Sequence, residues 1–256
     1  MGKNIRNLIL FLLIAFLIPL LMALLQEPIS DEMVGFILLG IRAAAPTLAA
    51  VVVLLISREL RAAFSRMFRK EHLGRALLIP VFLVVMTMLP VKLICSSMAG
   101  GSLSLGQITV TQFTIILWAL VAEEIGWRGY LESLLDRMGV HRFVAPGIVG
   151  VIWALWHYHY FWKGQIDVPI LLFLIGCIVE SYLYSFLMRS TEGNVVSAML
   201  YHFLWNLGIH VMALNPADNN GNTLPYTLLI GLEAIAVVCL CLSYRLVSAG
   251  QEEKEN

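Results

Sequence analysis

Apolar residues fill long blocks of this chain, and the polar stretches between them are short. At about 20 apolar residues per membrane helix, the blocks predict spans near residues 7–25, 34–56, 77–95, 107–124, 144–161, 168–188, 194–212 and 225–245. The expected fold is therefore all-α, a polytopic membrane bundle of about eight transmembrane helices. No internal repeat or Pro/Gly/Ser linker divides the chain, so residues 1–256 read as a single membrane domain. Two spans are conspicuously polar: the fifth carries His157 and His159, and the seventh carries His202 and Asn206. The first block, Leu8 to Leu25, follows Lys3 and Arg6 as a signal peptide would. Its length exceeds a usual signal core of roughly 7–15 residues, so it reads as an uncleaved span. Gly2 does not open a myristoylation motif, because Arg6 stands where that motif needs Ser or Thr.

Composition agrees with this pattern: 59% of residues are hydrophobic, 13% are charged, and mean hydropathy is +0.83. Formal net charge is zero, which gives no electrostatic basis for nucleic-acid binding. Loop charge orients the bundle, since cytoplasmic loops are enriched in Lys and Arg. With both termini cytoplasmic, the inner segments hold Lys3, Arg6, Arg58, Arg61, Arg66, Arg69, Lys70, Arg75, Arg128, Arg137, Arg142, Arg189, Arg245 and Lys254. The outer segments hold only Lys92 and Lys163. That topology sets Glu123, Glu124 and Arg128 at the cytoplasmic end of the fourth span. Residues 58–75 read either as an amphipathic surface helix or as an extension of the second span, and 127–142 as a short interfacial helix. Gly100-Gly101-Ser102 reads as a flexible outer turn. Cys95, Cys177, Cys239 and Cys241 lie in or beside apolar segments without metal-ligand spacing, and read as small core or lipid-facing residues.

Three constellations can carry chemistry. In Glu123-Glu124-Ile-Gly-Trp-Arg128, residues four apart share a helical face and adjacent ones do not, so Glu124 can meet Arg128 while Glu123 points elsewhere. The bland reading is a pair of interface charges, yet ionisable groups inside a membrane are costly and usually functional. The second is Trp153-Ala-Leu-Trp-His157-Tyr-His159. On a regular helix the two histidines cannot serve one centre; His157 is the candidate, and His159 suits an interfacial aromatic belt. The third is His202-Phe-Leu-Trp-Asn206, a same-face pair able to polarise a carbonyl or simply to join two helices. HExxH, GxSxG and phosphate-cradling Gly-rich loops are all missing, which argues against a soluble-type zinc protease and a covalent acyl-enzyme. Arg42, Glu180 and Glu233 are further charges inside spans, and Arg42 with Glu180 is an expected structural pair.

In their order along the chain, Glu123-Glu-x-x-x-Arg128, aromatic-x-x-x-His157 and His202-x-x-x-Asn206 resemble the CAAX protease and bacteriocin-processing (CPBP, or Abi) family of intramembrane proteases. The resemblance covers about residues 107–212, the expected catalytic core, and departs at Trp153, where the family commonly has Phe. It implies an eight-helix bundle with a cavity open toward the cytosol. There Glu123 and His157 would activate water, His202 and Asn206 would support the oxyanion, and Glu124 and Arg128 would be structural partners. It leaves two readings of the cofactor. One is a divalent metal, zinc first, on Glu123, His157 and His202 with Glu124 in reserve; the other is a metal-free glutamate site.

The resulting expectation is an intramembrane endopeptidase acting near the cytoplasmic face of a bacterial plasma membrane. Its substrate would be a membrane-associated peptide or protein, of CAAX type or a bacteriocin or pheromone precursor. The rival is a non-catalytic immunity or scaffold protein that binds a peptide or membrane partner. A transporter using Glu123, Glu180 and Arg42 ranks third, for want of an inverted repeat.

Overall fold

The computed structural model describes residues 2–100 and 104–255, with side chains described as far as residue 243. The described residues are nearly all helical and contain no strand. Gly101 and Ser102 of the expected outer turn lie outside them; Gly100 is in a turn with φ +80°.

Helices occupy all eight predicted segments, but not as eight uniform spans. Four long helices are α1 (Gly2–Gln26), α5 (Leu73–Met98), α10 (Ile170–Ser190) and α12 (Leu224–Glu255). A fifth continuous stretch runs from Val110 to Arg137, and these five are long and apolar enough to cross a membrane. The second predicted span is broken at Ala44 into α2 (Glu32–Ala43) and α3 (Ala45–Ile56), bent by 55°; counting that pair makes six. The fifth and seventh predicted spans are shorter. They are α8 (Ala145–Trp156) with α9 (Tyr158–Trp162), and α11 (Val196–Val211).

Two departures from the expected boundaries matter most. The fourth span was expected to end at residue 124. Instead α6 (Val110–Ala122) continues into a π-helix, Ile125–Glu132, and then α7 (Ser133–Arg137). Every residue of the π-helix is buried, so the expected interfacial helix at 127–142 is an interior element, and Glu123, Glu124 and Arg128 sit midway along a 28-residue stretch. Close packing enforces this. A Cβ at Gly126 would lie 2.4 Å from the Pro46 carbonyl carbon, and one at Gly129 would press on Met67. Met67 closes α4 (Leu60–Met67), a separate short helix that turns Ala63 and Met67 inward. Residues 58–75 thus neither extend the second span nor form one surface helix, because α5 already begins at Leu73.

α8 and α10 approach so closely that a Cβ on Gly150 would stand 2.7 Å from Ile178 Cα. α1 lies against α3 and reaches α9. Pro19, inside α1, has no N–H to give the Ala15 carbonyl four residues earlier. Trp156 Nε1 donates to that carbonyl at 3.0 Å, and Tyr158 OH donates to Phe16 O at 2.9 Å.

Side-chain contacts sort the loops into two ends. At one, Lys3 Nζ meets Glu59 at 2.9 Å, Asn194 Nδ2 donates to Arg69 O at 2.6 Å, and Arg189 donates to Arg142 O at 3.3 Å. Lys3 holds the Glu59 carboxyl below the usual carboxylate range. At the other, Lys163 meets Glu27 at 3.3 Å, Gly106 N donates to Val211 O at 2.9 Å, and His210 Nδ1 lies 2.8 Å from Asp218. Arg42 belongs to this second end: it donates to Gln165 Oε1 at 2.6 Å and Gln26 Oε1 at 3.1 Å, with its guanidinium 5.2 Å from the Tyr160 ring. It does not pair with Glu180, because the break after α2 turns it toward the 163–168 loop, whereas Glu180 lies near the middle of α10.

Candidate active site

Two helix junctions and α11 bring the candidate residues around one cavity of about 470 Å³. Glu123, at the junction of α6 and the π-helix, supplies the carboxylate. His157, at the break between α8 and α9, and His202 and Asn206, one turn apart on α11, complete the lining. Glu124 and Arg128 are not part of the lining. They are buried behind it, in a cluster that holds the visible residues in place.

The cluster is built on ion pairing and aromatic faces. Glu124 Oε1 accepts from Arg128 at 3.0 Å and from His202 Nδ1 at 2.7 Å, while Arg128 also donates to Ser181 Oγ at 3.1 Å. The guanidinium lies 3.8 Å from the centre of the Tyr184 ring and 4.4 Å from that of Trp153. Such contacts add to the ion pair where water is excluded. The i,i+4 geometry read from the sequence thus separates the two glutamates, although the local helix is π rather than α. A π-bulge inside an α-helix is frequent at functional sites.

Hydrogen bonds select the working atom of each histidine. His157 Nδ1 is 2.7 Å from Trp153 O, and a carbonyl oxygen can only accept, so Nδ1 carries the proton. His202 Nδ1 faces the Glu124 carboxylate, which already takes a hydrogen bond from Arg128, and so donates as well. Both rings therefore keep Nε2 as the uncommitted nitrogen. Asn206 Nδ2 gives one hydrogen to His202 O at 3.1 Å and retains another. Glu123 Oε2 accepts from Trp153 Nε1 at 2.8 Å. Trp at 153 thus makes a bond that Phe lacks the donor to form.

His159 is fully buried against Trp156 and Tyr160, with neither ring nitrogen hydrogen-bonded, and does not line the cavity. The expected belt position is therefore wrong: α9 turns this residue inward. Glu180 lines the cavity, and Glu233, completely buried, accepts from Trp205 Nε1 at 2.8 Å. Sequence reading passed over Ser181 and Ser185. They lie four residues apart on α10 and, with Cys177, form a face of small residues; Ser185 Oγ donates to the buried Glu132 at 2.5 Å. That spacing of Cys and Ser on an otherwise apolar helix was the available signal.

Carboxylate and imidazole are donors that zinc accepts. The described residues nevertheless contain no group of three His, Cys, Asp or Glu side chains arranged to hold a metal ion. Glu123, His157 and His202 line one cavity without converging as a ligand set. The chemistry they can perform by themselves is proton transfer, hydrogen-bond donation and orientation of a water.

Comparison with known proteins adds two findings. A family model described as "Type II CAAX prenyl endopeptidase Rce1-like" matches residues 105–208, a range that contains Glu123, Glu124, Arg128, His157, His202 and Asn206. The chain is also 26% identical over 198 residues to "CAAX prenyl protease 2" of Methanococcus maripaludis, covering 66% of this chain and 70% of that protein. The helices that carry the site are thus similar to Rce1-like CAAX endopeptidases, in agreement with the resemblance read from the order of the three motifs.

Proposed function

We propose, on the premise of that kinship, that this chain is an intramembrane endopeptidase that hydrolyses a peptide bond of a membrane-associated peptide or protein. The observation that carries the proposal is the shared lining of one buried cavity by Glu123, His157, His202 and Asn206. A polar cavity inside an apolar bundle admits water and a peptide carbonyl to the same place, and general acid–base catalysis needs both within reach of a proton acceptor.

Glu123 takes a proton from the attacking water, whose oxygen bonds to the carbonyl carbon. Trp153 fixes the orientation of the carboxylate through its indole N–H. His157, its Nδ1 committed to Trp153 O, presents Nε2 to the same water. Charge develops on the carbonyl oxygen, and the spare Asn206 N–H is the donor available to it, a role in which preorganised groups are most effective; the His202 ring, whose Nδ1 proton is committed to Glu124, donates from Nε2 only as an imidazolium. As the tetrahedral species collapses, the C–N bond breaks and the proton held by Glu123 passes to the leaving amine. Glu124 and Arg128 do not touch substrate; they hold His202. No step is routed through a metal, because the described side chains do not assemble a three-ligand set.

The test is cleavage of lipidated and unmodified membrane peptides by purified protein in detergent or liposomes. Glu123→Gln and His157→Ala are expected to lower the rate by about 10²–10⁴, the usual contribution of a positioned acid or base. Cleavage undiminished in both variants would refute the site. A biological effect that survived both substitutions would favour the binding-protein reading instead.

A further inference from the structure

We infer that Glu180, set beside the rings of Trp205 and Tyr226, forms a subsite for a cationic side chain, lysine or arginine, of the peptide substrate. Its part in cleavage rests on the endopeptidase reading above; its preference for a cation does not.

Glu180 differs from every other buried glutamate in having no partner. Glu123 accepts from Trp153, Glu124 from Arg128 and His202, Glu132 from Ser185, and Glu233 from Trp205. Glu180 is only 4% exposed, yet it takes no hydrogen bond and no salt bridge from any described residue. Neither of its oxygens is packed away as a buried unpartnered atom, and its side chain lines the cavity that also holds Glu123, His157, His202 and Asn206. The carboxyl is therefore aimed into that space. Cations of the chain are engaged elsewhere. Arg128 donates to Glu124 and to Ser181, the residue after Glu180, and is covered by the rings of Tyr184 and Trp153. Arg42 donates to Gln26 and Gln165. A carboxyl enclosed in an apolar bundle without a donor is costly, and the missing partner can come from a molecule that enters the cavity.

The walls beside Glu180 suit a positive charge. Trp205 and Tyr226 both line the cavity and meet edge to face, with centroids 6.2 Å apart and planes at 90°. Trp205 is held by its Nε1–H on Glu233 at 2.8 Å. Gly176 lies one turn before Glu180 on the same face of α10, and a Cβ there would stand 3.0 Å from the Tyr226 hydroxyl, so Tyr226 lies against α10 next to Glu180. Aromatic faces attract an ammonium or guanidinium group, and a carboxylate accepts its hydrogens. A neutral side chain in the same place would leave the carboxyl unpaired, and an acidic one would be repelled. Trp205 immediately precedes Asn206, so the subsite adjoins the donor proposed for the carbonyl oxygen.

The test uses the purified full-length chain in liposomes with a library of lipidated peptides that carry Lys, Gln or Glu in turn at each residue flanking the cleaved bond. At one position the Lys peptide is expected to have a kcat/KM at least tenfold above the Gln peptide, with the Glu peptide lowest, and Glu180→Gln is expected to lose that ratio. Equal values for Lys and Gln at every position, or a Lys preference that persists in Glu180→Gln, overturns the inference. A merely structural Glu180 would change all peptides alike and leave the ratio intact. Should Glu180→Gln fail to accumulate, Glu180→Asp keeps the charge and withdraws it by one methylene. The preference for Lys over the shorter ornithine is then expected to rise above that of the wild type, and an unchanged preference overturns the inference. If no peptide is cut, the endopeptidase reading fails, and fluorescence anisotropy of the same peptides still decides the subsite: roughly tenfold tighter binding of Lys than of Gln supports it, and equal binding overturns it.

Discussion

Trp153 shows how much one side chain changes the site. Its indole donates to Glu123 and its ring covers the Arg128 guanidinium, so one residue orients the working carboxylate and shields the supporting ion pair. Trp153→Phe keeps an aromatic face and removes only the donor. A hydrogen bond to a charged group contributes about 1.5–3 kcal/mol, so the cleavage rate is expected to fall roughly tenfold or more, with detergent-solubilised Tm lowered only slightly. Arg128→Met acts differently, because it leaves the Glu124 carboxylate buried without its cation. Breaking a buried pair costs about 3–5 kcal/mol, so a large loss of Tm is expected, and the double variant Glu124→Gln/Arg128→Met should recover much of it. The residue-level reading of the sequence succeeded where spacing alone decides contact, as for Glu124 with Arg128 and His202 with Asn206. It failed for Trp153, whose role depends on a neighbour thirty positions away, and for Arg42, whose partners Gln26 and Gln165 carry no charge to advertise them.

At the scale of elements, the π-helix is the decisive departure from expectation. Hydropathy marks the end of an apolar run, and Glu123 ends one; it does not reveal that Trp127, Arg128 and Tyr130 are enclosed by neighbouring helices. The two glycines of this segment were the physical clue, since each is a place where another element passes within contact. Gly126→Ala would drive a methyl into the Pro46 backbone, which cannot yield as a side-chain end can. Overpacking of this kind costs typically 1–3 kcal/mol, and Gly126→Ala is expected to lower both Tm and activity. Gly74→Ala, where a Cβ meets nothing within 4 Å, is the control and should leave both unchanged. Span number was less legible for a related reason. Helices fill all eight predicted segments, but α8 and α11 carry the polar site residues and are shorter than a bilayer crossing requires.

For the molecule as a whole, charge is unevenly distributed: the end that holds residues 57–75, 137–142 and 189 is rich in Arg, while the opposite end holds Lys92 and Lys163 among Asp31, Glu32 and Asp167. Surface pairs at the Arg-rich end contribute little to stability. Lys3 and Glu59 are both substantially exposed, and such pairs contribute about 0–1 kcal/mol. Because Lys3 holds the Glu59 carboxyl below its usual range, the pair's contribution is present at neutral pH and is lost as the pH falls through that lowered value. Lys3→Ala is accordingly expected to shift Tm at neutral pH by a small amount that disappears in acid. The all-α membrane class followed from composition and run length, both properties of the whole chain. The position of the cavity did not, because it depends on where four helices far apart in sequence come together.

The Ala15 carbonyl, freed by Pro19 and answered by Trp156, makes α1 something other than a removable leader. Trp156 immediately precedes His157, so the first helix props the turn on which a candidate catalytic ring is mounted. A peptidase that trimmed α1 as though it were a secretion signal would leave the Trp156 indole N–H without its acceptor in hydrocarbon, where an unsatisfied group costs several kcal/mol. It would loosen His157 without touching the cavity. Removal of the N-terminal helix is accordingly expected to lower Tm and, with it, the cleavage rate measured on membrane peptides.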